Sequence, residues 1–252
     1  MKILLETLKR KWAKYLLEII VITIGILGAY TLNNWNESRK ERKMELKYLS
    51  NMKTDLQKDL VRLEFMSAYR ARTISSTKEL IRYHDERSVY EPSEYYGHMI
   101  NVFYWDEYIP NRNTQDELVS SGNLSLMKND SVKNQLLVLD RLIEEMETLN
   151  MHMRREFDHY IYDRSVLYYD LNDFMDLENM TVANLFAEDT VSTSLNKERL
   201  IDETSEFLSD QMVRNGLLLA GVNSTYMVSL YNGAHDQTKK LIAVIDAELV
   251  SD

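Results

Sequence analysis

The chain has 252 residues, 44% apolar and 28% charged, with seven Gly, two Pro and no Cys. That length suits one domain of moderate size or two small ones, and the apolar content excludes wholesale disorder. The lack of Cys removes disulfides, thiolate metal sites and Cys nucleophiles, while so few Gly and Pro argue against a strand-rich fold, which needs frequent turns.

The formal charge of −10 is spread unevenly: residues 1–44 hold nine Lys/Arg and four acids, leaving 21 basic and 36 acidic residues beyond them. A body that acidic repels nucleic-acid phosphates, and no basic stripe interrupts it, so nucleic acid is not an expected partner.

Residues 1–14 form a basic tail containing Lys9, Arg10, Lys11 and Lys14. Residues 15–32, YLLEIIVITIGILGAYTL, follow with one charge, Glu18. At about 1.5 Å per residue this stretch spans roughly 27 Å, close to a hydrocarbon core of about 30 Å. Trp12 and Tyr15 stand at one end, Tyr30 and Trp35 at the other, where amphipathic rings settle at bilayer interfaces. The apolar run passes directly into charged, helix-favouring sequence without a cleavage site, as in an uncleaved signal anchor. The bases crowding its N-terminal side predict an N-terminus in the cytoplasm and a C-terminal body outside. Glu18, four residues after Lys14, is read as a snorkelling or paired carboxylate rather than part of a proton path. Gly25 and Ala29, with Gly28 beside them, permit close helix approach. The expected partners are therefore the lipid bilayer and, through this face, a homo-oligomer or another membrane protein.

No Gly or Pro occurs from Thr31 to Tyr90. Leu49, Met52, Leu56, Leu63 and Met66 keep steps of three and four, with Leu60 standing in for the polar Asp59. This spacing predicts a stalk helix over residues 33–90, continuous with the membrane helix, and a bundle over residues 91–252 packed with it. Pro92 marks a break. The aromatic segment that follows (Tyr95, Tyr96, Phe103, Tyr104, Trp105, Tyr108) is read as core between helices, with a binding surface as the alternative. Thr114 and Glu117 suggest a capping box for a short helix closing at Ser121-Gly122. Asp130 and Ser131 then cap a helix whose spacing runs from Leu136 through Leu149 and past Tyr160. Residues 171–198 are mixed, read as connections and a short helix. Helical spacing resumes through Phe207, Met212, Leu218 and Val222 to Leu249, with Gly216, Gly221 and Gly233 marking kinks or close packing.

Two stretches carry a likeness to known proteins. IGILGAYTLNNWNESRKERKMELKYLSNMKTDL (residues 24–56) joins the apolar helix to NNWNE and a basic stalk; DELVSSGNLSLMKNDSVKNQLL (residues 116–137) pairs an SSGNL link with a KNDS cap. Together they resemble a family of single-pass membrane proteins frequent in Bacteroidetes, a domain of unknown function. The resemblance implies a bacterial cytoplasmic membrane with the body in the periplasm, and a helical body. It supplies no activity, cofactor or catalytic residue.

His152, Glu156 and His159 are the one constellation with metal-ligand spacing, because offsets of four and seven share a helix face and Glu156-x-x-His159 matches di-iron bundles. Such a site needs a second Glu-x-x-His pair, and the residues three before His84, His98 and His235 are Ile81, Tyr95 and Asn232. No metal or other cofactor is therefore expected. The motifs of serine hydrolases, dinucleotide binders, P-loops and zinc proteases are missing from the sequence. The reading is an all-α, membrane-anchored, non-catalytic interaction or scaffold protein. A small-ligand sensor bundle and a metal-binding or enzymatic bundle are the alternatives. With about 14 residues on the inner side, a sensor of this build would act through a partner membrane protein.

Overall fold

Between residues 45 and 80 the chain buries a residue at alternating steps of four and three: Glu45, Leu49, Met52, Leu56, Asp59, Leu63, Met66, Arg70, Thr73, Thr77 and Leu80. That repeat is the buried seam of one long helix. In the computed structural model, which describes residues 2–86, 92–170 and 197–250, α1 spans Lys2–Glu86 without a break. The protein is all-α, and among the described residues no strand forms. Two compact units divide the chain. Met1–Met52 and Thr114–Lys128 make the first, Lys53–Asn113 and Asn129–Asp252 the second.

In the first unit α3 (Asn113–Ser120) leads through Gly122 into a 3-10 turn, Asn123–Leu126. Gly122 has φ 72°, the left-handed conformation that only a residue without Cβ adopts freely. Leu118, Leu126 and Met127 are buried. Thr114 is buried in the first turn of α3, and the Glu117 carboxylate accepts from the Tyr48 hydroxyl at 3.3 Å. The Glu117 side chain thus makes a tertiary contact with α1.

The second unit holds α2 (Pro92–Phe103), an extended strap over residues 104–112, and α4 (Asp130–Phe157). A π-helical segment (Asp158–Tyr162) and α5 (Asp163–Tyr168) follow. After them come α6 (Lys197–Ser209) and α7 (Gln211–Val250). Pro92 opens α2, where its missing N–H costs nothing. The cap of α4 lies one residue earlier than the sequence suggests: Asn129 is extended, and its side chain accepts from the N–H groups of Ser131 and Val132. Tyr95, Met99 and Val102 of α2 join Leu80, Tyr83, Phe157, Ile161, Phe207, Val213 and Leu217 in one apolar cluster, with Phe103 and Trp105 packed against it. Of the aromatic segment, Tyr95 and Tyr108 are buried and Phe103, Tyr104 and Trp105 are partly buried, while the side chain of Tyr96 is outside the described residues. At about 1.5–3 kcal/mol per buried large apolar side chain, this cluster is a main source of stability.

Two expectations about the helical faces need correction. Asp59 is buried in the seam while Leu60 lies off it, because Asn111 and Tyr108 supply hydrogen bonds to the carboxylate. On α7, Met212, Leu218 and Val222 are exposed, and Val213, Gly216, Leu217 and Ser224 face inward. Small residues set that face. A Cβ on Gly216 would stand 2.7 Å from Tyr160 Cβ, and one on Gly221 2.9 Å from Thr77 Oγ1. These glycines allow close packing within a single helix, whereas Gly233 has nothing within 4 Å. Of the mixed stretch 171–198, residues 171–196 lie outside the described residues.

Candidate functional site

The seam of α1 starts at Glu45; among the described side chains, those from Trp12 to Lys40 are exposed. From Trp12 (63% exposed) to Trp35 (60% exposed) the large apolar side chains are open to the surroundings. An 18-residue window here has a mean hydropathy of 2.0 with none of it buried, so this helix is long and apolar enough to cross a membrane. Tyr15, Glu18, Ala29 and Tyr30 are likewise exposed, and a Cβ at Gly25 or Gly28 would meet nothing within 4 Å. Thr31 donates its hydroxyl to the Leu27 carbonyl at 2.8 Å, so its polar group is satisfied inside the helix.

One turn beyond Trp35 a collar of charged contacts begins. The Arg39 guanidinium lies 5.8 Å from the Trp35 ring centre. Arg42 pairs with Glu45 at 2.9 Å, and the other Glu45 oxygen accepts from the Lys128 N–H at 2.7 Å. Lys128 Nζ pairs with Glu41 at 3.0 Å, and Asn123 donates to the Tyr48 hydroxyl at 3.2 Å. Residues 41–48 and 117–128 thus meet through side chains drawn from both of the stretches on which the family resemblance rests.

In the second unit the strap is fastened to α1. Arg62 pairs with Asp106 at 2.6 Å and donates to the Glu107 carbonyl at 3.0 Å. Arg70 donates to the Asp106 carbonyl at 3.1 Å, and Tyr69 donates to the Tyr104 carbonyl. Asn111 N–H donates to Asp59 at 3.0 Å. Burial pushes the Asp59 carboxyl up to about 6 despite the Asn111 and Tyr108 hydrogen bonds; burial and that carboxylate push the Tyr108 hydroxyl up as well. Two guanidinium groups lie over the Trp105 ring, Arg70 at 4.9 Å and Arg154 at 5.2 Å, each held to it by cation–π attraction. Arg70 is 2% exposed, and its Nε, together with Ser224 Oγ, is buried without a protein hydrogen-bond partner. Both residues line a cavity of about 20 Å³ with Glu156 and Asn223.

Beside the strap lies an open groove of about 590 Å³ between residues 107–110 and the end of α4, including the start of the π segment. Ile109 (72% exposed) and Met151 (69% exposed) supply its apolar part, Glu107, Glu147, Arg154, Arg155 and Asp158 its charges, and His159 also lines it. Arg154 is engaged by Asp158 at 3.0 Å, and Asn150 donates to Glu107 at 3.1 Å.

His152, Glu156 and His159 do not converge. His152 and His159 are exposed; His159 lies 3.5 Å from Asp163, and Glu156 accepts from Asn223 at 2.6 Å. Among the described residues no group of three or more His, Asp or Glu is placed to hold a metal ion. The buried charged residues of this repeat that the sequence did not single out are Glu45 and Arg70. A signal was present, since each falls on the four-three repeat of α1, where a charge is buried and needs partners.

Fold and site define an all-α protein with one uncovered apolar helix and a helical body braced by buried charges. The chain belongs to the family of unknown function DUF6090, whose sequence profile matches residues 18–208. The match takes in the apolar helix from Glu18 onward, the collar and the strap, and stops short of α7. Comparison with the curated proteins and with the solved structures gives no match.

Proposed function

We propose that this protein is anchored by residues 15–32 in a bacterial cytoplasmic membrane, with its N-terminus in the cytoplasm and its body in the periplasm. The body serves there as a non-catalytic interaction or scaffold module. The observation that carries the reading is the uncovered apolar helix: eighteen residues with one charge, exposed on every side. Lipid is the medium that covers such a helix all round while its backbone stays satisfied internally. Orientation follows from the bases. Lys14 abuts the apolar run and Lys9, Arg10 and Lys11 precede it closely, whereas the first base on the far side is Arg39, seven residues after Leu32. The test is a C-terminal reporter active only outside the cytoplasm. Activity is the expected result; a silent reporter with an active cytoplasmic counterpart reverses the orientation.

The groove beside the strap favours a second reading, a sensor-like body that binds a small ligand and acts through a partner membrane protein. Its volume and its mix of apolar and charged groups suit a small molecule. Crosslinking in mild detergent separates the two: the scaffold reading expects a reproducible protein partner or a homo-oligomer, while a clean monomer stabilised by a metabolite in a thermal-shift screen favours the sensor.

A further inference from the structure

We propose that the collar beyond Trp35 is a binding surface for anionic phospholipid headgroups in the leaflet facing the body; this rests on the membrane reading above. Lys40, Lys43 and Lys47 stand at steps of three and four, which puts them on one face of α1, and all three are exposed. Arg39 is beside them and exposed. Residues 36–47 also contain Glu37, Glu41 and Glu45, and the structure determines which charges stay available. Glu41 is taken by Lys128 Nζ at 3.0 Å. Glu45 is buried and taken by Arg42 and the Lys128 N–H. Lys128 and Arg42 thereby neutralise Glu41 and Glu45, so the exposed bases Arg39, Lys40, Lys43 and Lys47 outnumber the one remaining acid of the collar, Glu37.

Geometry aims those bases at the bilayer. Side chains on an α-helix lean toward its N-terminus, and here the N-terminal direction is the apolar span. Arg39 shows the lean directly, since its guanidinium reaches back one turn to lie 5.8 Å from the Trp35 ring centre. An interfacial Trp sits at headgroup level. A guanidinium folded onto it is therefore placed among lipid phosphates, which it can hold through two parallel N–H donors. Lys40 and Lys43 add charge within reach of the same layer.

The experiment uses the full chain, floated with phosphatidylcholine vesicles with and without a fraction of phosphatidylglycerol. Retained lipids are then counted by native mass spectrometry. The wild type is expected to float with both and to retain phosphatidylglycerol above its share of the mixture, less so as salt rises. The triple variant Arg39→Ala/Lys40→Ala/Lys43→Ala is expected to float as well but to lose about tenfold or more of that preference. Arg39→Lys/Lys40→Arg/Lys43→Arg, which keeps the charge, is expected to keep most of it. Equal retention of the two lipids by the wild type, or an undiminished preference in the triple-alanine variant, overturns the headgroup proposal and leaves the anchor standing. A wild-type chain that fails to float with phosphatidylcholine vesicles overturns the anchor and this proposal together.

Discussion

The Lys128 N–H donates to a Glu45 carboxylate oxygen at 2.7 Å, in a place where Glu45 is fully buried. Arg42 holds the other oxygen at 2.9 Å, so the carboxylate fixes the loop after the 3-10 turn to α1. Glu45→Ala removes the acceptor of the Lys128 N–H and the carboxylate that pairs with Arg42, and is expected to destabilise the contact by about 1–3 kcal/mol. Glu45→Gln keeps an acceptor for Lys128 and should lose less. Hydrogen exchange over residues 114–128 is the measurement; unchanged protection in Glu45→Ala would rule out this role.

Asp59 makes stability depend on pH. Folded, it holds its proton up to about pH 6; unfolded, it releases it near 3.8. The folded state therefore binds more protons between those values, and stability falls as pH rises through that window. The penalty is absent below the lower value and fully present above the upper one. Asp59→Asn, whose amide can still accept from Asn111, is expected to flatten this dependence and to gain up to roughly 3 kcal/mol at neutral pH. Melting curves at acid and neutral pH check it. A neutral-pH loss as large as that of Asp59→Ala would refute the assignment.

The two arginines flanking Trp105 should respond differently. Arg154 is exposed and its ion pair with Asp158 is on the surface, so Arg154→Ala is expected to cost under about 1 kcal/mol. Arg70 is buried and donates to the strap at the Asp106 carbonyl; Arg70→Ala should cost about 2–4 kcal/mol through the lost contact and the space left behind. Chemical denaturation of the two variants side by side decides it.

Gly216 and Gly233 offer a contrast on one helix. Gly216→Ala places a methyl 2.7 Å from Tyr160 Cβ, and is expected to destabilise by about 1–3 kcal/mol. At Gly233 the space is open, so Gly233→Ala should be neutral or stabilise by up to about 1 kcal/mol through helix propensity. Thermal unfolding of both variants tests the pair, and equal effects would contradict the packing described.

For metal, the expectation is that the purified chain carries none in stoichiometric amount, and that His152→Ala/His159→Ala changes neither metal content nor melting temperature. Elemental mass spectrometry that finds about one ion per chain, lost in the double variant, would reopen the metal-binding alternative.

The long elements were legible because their periodicity reports burial directly. The seam from Leu49 to Met66, the turn at Gly122 and the core role of Tyr95 and Trp105 follow from residue type and spacing. Asp59 misled because apolar spacing treats a carboxylate as an interruption, whereas a hydrogen bond from a strap some fifty residues away in sequence makes it a seam residue. The inward face of α7 was missed for the opposite reason. Its closest contacts are made by Gly216 and Gly221, and a reading that follows large side chains selected Leu218 and Val222 instead. Asn129 lost the cap assignment to its neighbours because Asn, Asp and Ser all cap well, and only the extended backbone at Asn129 decides among adjacent candidates.

The π-helical segment Asp158–Tyr162 bears on how this chain tolerates a change in length. Buried residues Met153, Phe157, Ile161, Ser165 and Tyr169 recur every four positions, and in a plain α-helix each such step drifts about 40° around the axis. Wider turns absorb that drift and keep the row in phase. One surplus residue has in effect been accommodated there. Deleting one residue inside the segment removes the wide turn and puts Ser165 and Tyr169, which follow it, out of phase with Met153 and Phe157 before it. The segment is thus a point at which a change of one residue in chain length is felt in the core rather than absorbed by a loop.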